Sequence, residues 1–197
     1  MEKKNVGILG FDDMETLDFA GPFEVFSVTG QREGDGHFNV FLISENPGPV
    51  IAVNGLSVNP HYTIGNSPEI DILIIPGGVG ARKVLKNMKL LQWIKETSAK
   101  TELTLSVCTG SLILGQLGIL DNLVATTHHE CIDLLKELAP KTKVKADERF
   151  IDNGKVLVAA GISAGIDMSL YVIEKLLGKK QALETANYME YPYLSSK

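Results

Sequence analysis

Residues 103–118 read LTLSVCTGSLILGQLG, and their reading decides the fold. Residues 103–107 read as a buried strand, too brief for a helix and long enough for a strand covered on both faces. A helical pattern over 111–117 follows, with only Cys108, Thr109 and Gly110 between. A strand that runs straight into a helix is the first half of a βαβ unit.

Working outward, the same alternation recurs. Residues 71–75 are a short continuous apolar run that stops at Pro76-Gly77-Gly78, and residues 81–99 then read as helices. Residues 5–10 and 39–44 read as strands around a helical 19–28, with Gly21-Pro22 at or near its first turn, where a missing N–H costs least. Residues 50–58, broken by Asn54-Gly55, read as a hairpin, as do 150–152 and 155–159 around Asn153-Gly154. Residues 123–127 read as a strand, and 131–137, 164–177 and 180–188 as helices; 191–197 read as a tail. The pattern predicts one α/β domain over residues 1–197: a mostly parallel sheet with helices on both faces.

Composition narrows the function. With 197 residues, 44% apolar and 22% charged, the chain can bury a real core without a metal or disulfide. The net charge is −5 and like charges form no block, which argues against nucleic acid or an anionic membrane as partner. The start, MEKKNVGILGFDDM, has too short an apolar run for a signal peptide, and no stretch approaches the roughly 20 residues that span a bilayer. The expectation is a cytoplasmic protein with Cys108 and Cys131 as free thiols.

In open parallel sheets, sites form beyond the carboxyl ends of the strands. Three ends here carry unusual residues. Cys108 sits at the strand-to-helix turn, resembling a nucleophile elbow with sulfur in place of oxygen, and a helix N-terminus beside it is expected to favour thiolate. The bland alternative is a small buried hydrophobe. The Pro76-Gly77-Gly78-Val79-Gly80 turn is expected to leave backbone N–H groups bare, as an oxyanion hole requires; otherwise it is a plain turn. No lysine follows at phosphate-loop spacing. Glu15 and Asp18, three apart, would share a helical face, and either could be a general acid or base; the ordinary use of such acids is at helix N-termini. His128-His129 has no further ligands at metal spacing, so neither a metal nor a cofactor is expected.

Together these stretches resemble the ThiJ/PfpI (DJ-one-like) superfamily, with its flavodoxin-like three-layer sandwich. LDFAGPFEVFS (17–27), IIPGG (74–78) and SVCTGSLILGQLGILDNLVATTH (106–128) are similar to its signatures. AAGISAGIDMSLYVIEKLLG (159–178) is similar to the branch holding isonitrile hydratases and the sensory domains of AraC-type regulators. The resemblance implies Cys108 as nucleophile, Asp18 as catalytic aspartate, and Thr109 and the Gly78 amide as orienting groups or oxyanion donors. It sets Glu15 where other members place a glutamate against the cysteine. Gly77, Val79, His128 and Ile162 are expected around the pocket. It also implies a homodimer. The histidines are His37, His61, His128 and His129; none follows position 129, so the glutaminase triad of related folds is missing, and Thr109 stands where the protease-like branch has histidine.

Three functions stay open at this point. The first is an isonitrile hydratase that forms an N-substituted formamide. The second is a small-molecule sensor without turnover, for which a chain ending near Lys197 leaves no room for a DNA-binding domain. The third is a redox-sensing or aldehyde-handling (glyoxalase- or deglycase-like) thiol protein.

Overall fold

Ile72, Leu73, Ile74 and Ile75 are all completely removed from solvent. A strand can bury four successive side chains only if both of its faces are covered, and each such residue contributes about 1.5–3 kcal/mol. The computed structural model, which describes residues 2–31, 34 and 36–193, places this strand in the middle of the molecule.

The elements run β1 (Lys4–Gly10), α1 (Thr16–Val28), β2 (Phe38–Ser44), β3 (Val50–Ile51), β4 (Ser57–Val58), β5 (Tyr62–Thr63), β6 (Ile72–Ile75), α2 (Ala81–Val84) and α3 (Met88–Lys100). Then come β7 (Leu103–Val107), α4 (Gly110–Gln116), β8 (Val124–Ala125), α5 (Ile132–Leu138), β9 (Lys143–Val144), β10 (Phe150–Asp152), β11 (Val156–Ala159), α6 (Ala164–Leu177) and α7 (Lys179–Tyr188). The main sheet has the order β10-β11-β7-β6-β1-β2-β5. Its pairings are parallel except β10 with β11. The direction of winding therefore reverses between β1 and β6, which is the point where such sheets open a crevice. Right-handed crossovers put α1 on one face and the β6-to-β7 helices on the other. On the first face α6 packs against α1 and α7; elsewhere α4 packs against α2 and α5. This is the α/β sandwich expected from the sequence.

Some details differ. Helix α1 begins at Thr16 rather than near residue 19, so Pro22 is an interior residue and cannot donate to the Asp18 carbonyl one turn earlier. The 123–127 run gives only the two-residue β8, which pairs with β9 outside the main sheet. The segment expected to be a tail is docked as far as it is described: Tyr191 N–H reaches the Ala186 carbonyl at 2.9 Å, and the Tyr191 and Tyr193 hydroxyls donate to Asp167 and Glu174. Residues 194–197 lie outside the described residues. Among the described residues no helix is long and apolar enough to cross a membrane.

Candidate active site

Cys108 follows directly on β7 and precedes α4, with φ of 56°. A non-glycine residue in that region is uncommon and strained, and it persists only where its surroundings fix it. Here they do. The Cys108 N–H donates to the carbonyls of Ala159 (3.2 Å) and Ala160 (2.9 Å) at the end of β11, and its carbonyl accepts from the Ser111 and Thr127 hydroxyls, both at 3.0 Å. The residue is 5% exposed.

Asp18 lies in the first turn of α1 and is completely buried. Its Oδ2 accepts the Gly77 N–H at 2.9 Å, while Oδ1 is buried without a hydrogen-bond partner among the described residues. Burial pushes this carboxyl up to about 7; the Gly77 amide and the Cys108 thiol pull it down and the charge of Glu15 pushes it up. The same contact acts on the sulfur. Burial first and the Asp18 charge second push the Cys108 thiol up to about 12, against the Thr109 and Ile162 amides and the Thr109 hydroxyl. The expected acidified thiolate is therefore corrected. Helix α4 has only seven residues, and its field does not outweigh burial beside a carboxylate.

The acid facing the sulfur is Asp18. Glu15 is the N-cap residue of α1, with extended backbone and half-buried, so only Asp18 of the two acids lies within the helix and is completely buried. Its influence on the thiol runs through Asp18.

The glycine turn is also different from expectation. Its amides are not bare: Gly77 N–H is held by Asp18, Gly78 N–H by the Thr109 hydroxyl at 2.9 Å, and Gly80 N–H by the Asp13 carbonyl at 3.0 Å. Thr109 returns its own proton to the Gly78 carbonyl at 3.1 Å. A Cβ on Gly77 would stand 2.4 Å from the Thr109 nitrogen and 3.0 Å from Asp18 Oδ2. Only glycine lets the two strand ends meet that closely. The turn aims Asp18 and Thr109 and holds no open pair of oxyanion donors at Gly77 and Gly78.

Of the remaining sequence candidates, Ile162 has φ of 51°, an outlier for a β-branched residue, and presents its backbone amide to the sulfur. Val79 is 62% exposed at the outer side of the turn. His128 lies with its Cδ2 only 2.6 Å from where a Gly161 Cβ would be, and its Nδ1 accepts from the Glu130 N–H at 3.4 Å. Its ring packs against Gly161 of the 160–163 segment. A cavity of about 250 Å3 opens at the ends of β1 and β2, lined by residues that include Asp12, Ser44, Lys83 and Asn87 but not by Cys108. Its polar side chains already have partners: Ser44 donates to the Asn46 carbonyl, Asp12 accepts the Ile51 N–H, Lys83 pairs with Asp13 and Asn87 donates to Glu45, so the chemistry is assigned to the buried thiol. Among the described residues no group of three or more His, Cys, Asp or Glu is placed to hold a metal. Arg149, which carries no sequence signal beyond its place just before a hairpin, holds the 160–163 segment through the Ala160 N–H and the Ser163 hydroxyl.

A doubly wound sheet with a strained cysteine elbow at the crevice, faced by a buried acid, defines a class of cysteine-centred α/β proteins. The chain belongs to the DJ-1/PfpI family, whose model matches residues 4–175. It is similar to an isonitrile hydratase of Pseudomonas putida, at 31% identity over 94% of this chain and 78% of that protein. It is also similar to the HTH-type transcriptional regulator CdhR of Pseudomonas aeruginosa, at 30% identity over 86% of this chain and 50% of the regulator. Among solved structures, a ThiJ/PfpI family protein from Pseudomonas syringae superposes with a TM-score of 0.87 at 26% identity, covering 100% of this chain and 78% of that one.

Proposed function

We propose that this protein is a cysteine-dependent hydro-lyase that adds water to an isonitrile and releases the N-substituted formamide. The observation that carries the reading is Asp18: a buried carboxyl beside the thiol, with one oxygen fixed by Gly77 and the other unpartnered. Burial and the Asp18 charge hold the thiol toward its protonated form, so it needs a base at the moment of attack, and a carboxyl raised to about 7 beside it is matched to that task. As sulfur bonds to the terminal carbon, Asp18 takes the thiol proton and passes it to the carbon lone pair, which gives a thioimidate. Water then adds to that carbon with Asp18 as base, and nitrogen is protonated. The C–S bond breaks, the sulfur recovers its proton, and the formamide leaves. One water is consumed and nothing is oxidised.

The engaged turn amides support this chemistry over acyl transfer. Acyl transfer builds negative charge on oxygen and needs open donors, whereas an isonitrile builds it on a carbon that a proton can quench. The redox or aldehyde-handling reading rested on an acidified thiol, which burial and Asp18 oppose. A sensor without turnover is the second reading, favoured by the likeness to regulators of which this chain spans about half. In either case the ligand is a small molecule. The resemblance suggests a homodimer, and the exposed Leu17, Ile51, Leu56 and Val79 on adjoining segments are suited to covering by a second copy. The two free cysteines suit a reducing cytoplasm.

The test is hydration of cyclohexyl isocyanide by the unaltered protein, Cys108→Ser and Asp18→Ala. Formamide production by the first and its loss in both variants is expected. No turnover by folded, reduced protein sets the hydratase aside in favour of the sensor.

A further inference from the structure

The segment from residue 160 to 163 is in a curious position. Its Ala160 carbonyl accepts the Cys108 N–H, its Gly161 backs onto the His128 ring, and its Ile162 is held at positive φ with its amide toward the sulfur. Nothing in the local sequence favours that backbone at an isoleucine, so the neighbours must impose it. Arg149 grips the segment at both ends. Its carbonyl accepts the Ala160 N–H at 2.9 Å. Its guanidinium reaches the Ser163 hydroxyl at 3.3 and 3.4 Å, and takes Asp167 of α6 through Nε at 2.9 Å and through Nη2. On its other oxygen Asp167 accepts the Tyr191 hydroxyl at 2.9 Å, so the chain after α7 closes the far side of the clamp.

We infer that Arg149 is a positioning residue for the nucleophile, holding the 160–163 segment so that the Ile162 N–H faces the Cys108 sulfur, with Asp167 and Tyr191 fixing the guanidinium. It rests on the reading of Cys108 as the reactive centre. The Arg149 side chain is 55% exposed, and an ion pair so open to water adds little to stability. Its planar fork does something an exposed lysine cannot: it addresses Ser163 and Asp167 at once and so sets a direction. When sulfur attacks a carbon electrophile, negative charge on it is shared with the Ile162 amide until the new S–C bond forms, and a misdirected amide leaves that charge less well held.

The experiment is alkylation by iodoacetamide of the full chain, followed for Cys108 and Cys131 separately by peptide-resolved mass spectrometry. Iodide leaves as the S–C bond forms and the thiol proton passes to solvent. Arg149→Gln is expected to slow Cys108 about five-fold, the size of one lost hydrogen bond, with Cys131 unchanged. Arg149→Lys is expected to recover part of the loss, and Tyr191→Phe, a milder change should Arg149→Gln fold poorly, to slow Cys108 about two-fold. A merely structural role would loosen the fold and speed both buried thiols together. That result, or an unchanged Cys108 rate in both Arg149→Gln and Tyr191→Phe, overturns the inference. No isonitrile is involved, so absence of hydratase turnover leaves it standing, and its own failure leaves the hydratase reading intact.

Discussion

Cys108 and Cys131 are 5% and 7% exposed, so burial does not tell them apart. Their surroundings do. Cys108 stands at a strand end with strained backbone, a buried carboxyl across from it and backbone amides turned toward it. Cys131 begins a helix in ordinary conformation, with φ of −116°, and meets the Arg82 guanidinium at 3.7 Å. By charge alone the arginine would suggest that Cys131 is the activated thiol. What separates them is a group able to accept and return a proton, which Cys108 has in Asp18 and which no hydrogen bond to Cys131 supplies among the described residues.

The hardest blow to this contrast would come from paired substitution. Cys108→Ser should reduce formamide production to background, while Cys131→Ser should keep it nearly intact; equal losses in the same assay would erase the distinction. Asp18→Asn comes next. It keeps the shape and removes the base, so turnover should fall about 10²–10⁴-fold. It should also reveal the linkage. The folded-state pKa of Asp18 is raised from 3.8 to about 7, so between those values the folded chain holds a proton that the unfolded chain has lost. Stability therefore falls as pH rises through that window. Asp18→Asn should raise the melting temperature at pH 8 and change it little at pH 4, as read by calorimetry at both pH values. The smallest effect belongs to Glu15→Gln. Removing that charge eases ionisation of Asp18, so the rising limb of the pH–rate profile should move to lower pH by a fraction of a unit, with the plateau within about two-fold.

The strands of the crevice were legible because short segments of strand-forming residues ending at a turn have few other uses, and 103–107 matches β7 residue for residue. So were the three strand ends whose residues now surround the thiol. The register of Asp18 was not, because Glu15 caps α1 without a side-chain bond and leaves no capping signature to mark the start. Strands β5 and β9, two residues each, are edges set by tertiary pairing rather than by pattern. The thiol's acidity was misjudged because a helix terminus can be read from sequence, whereas burial and a facing carboxylate from a distant segment cannot. The bend at Ile162 contradicts what any propensity would assign to isoleucine, and conflicts of that kind gather where function overrides local preference.

The reciprocal pair of bonds between Thr109 and Gly78 has an evolutionary consequence. That single hydroxyl acts as a latch on the Gly78 amide, and a residue at 109 without it would hand the donor back to the crevice. Cys108, Asp18 and the glycines could all stay in place while the turn gained a free donor able to hold negative charge on oxygen. Diversification from this scaffold would then proceed through the position after the cysteine, the same position at which the protease-like branch is recognised by its histidine.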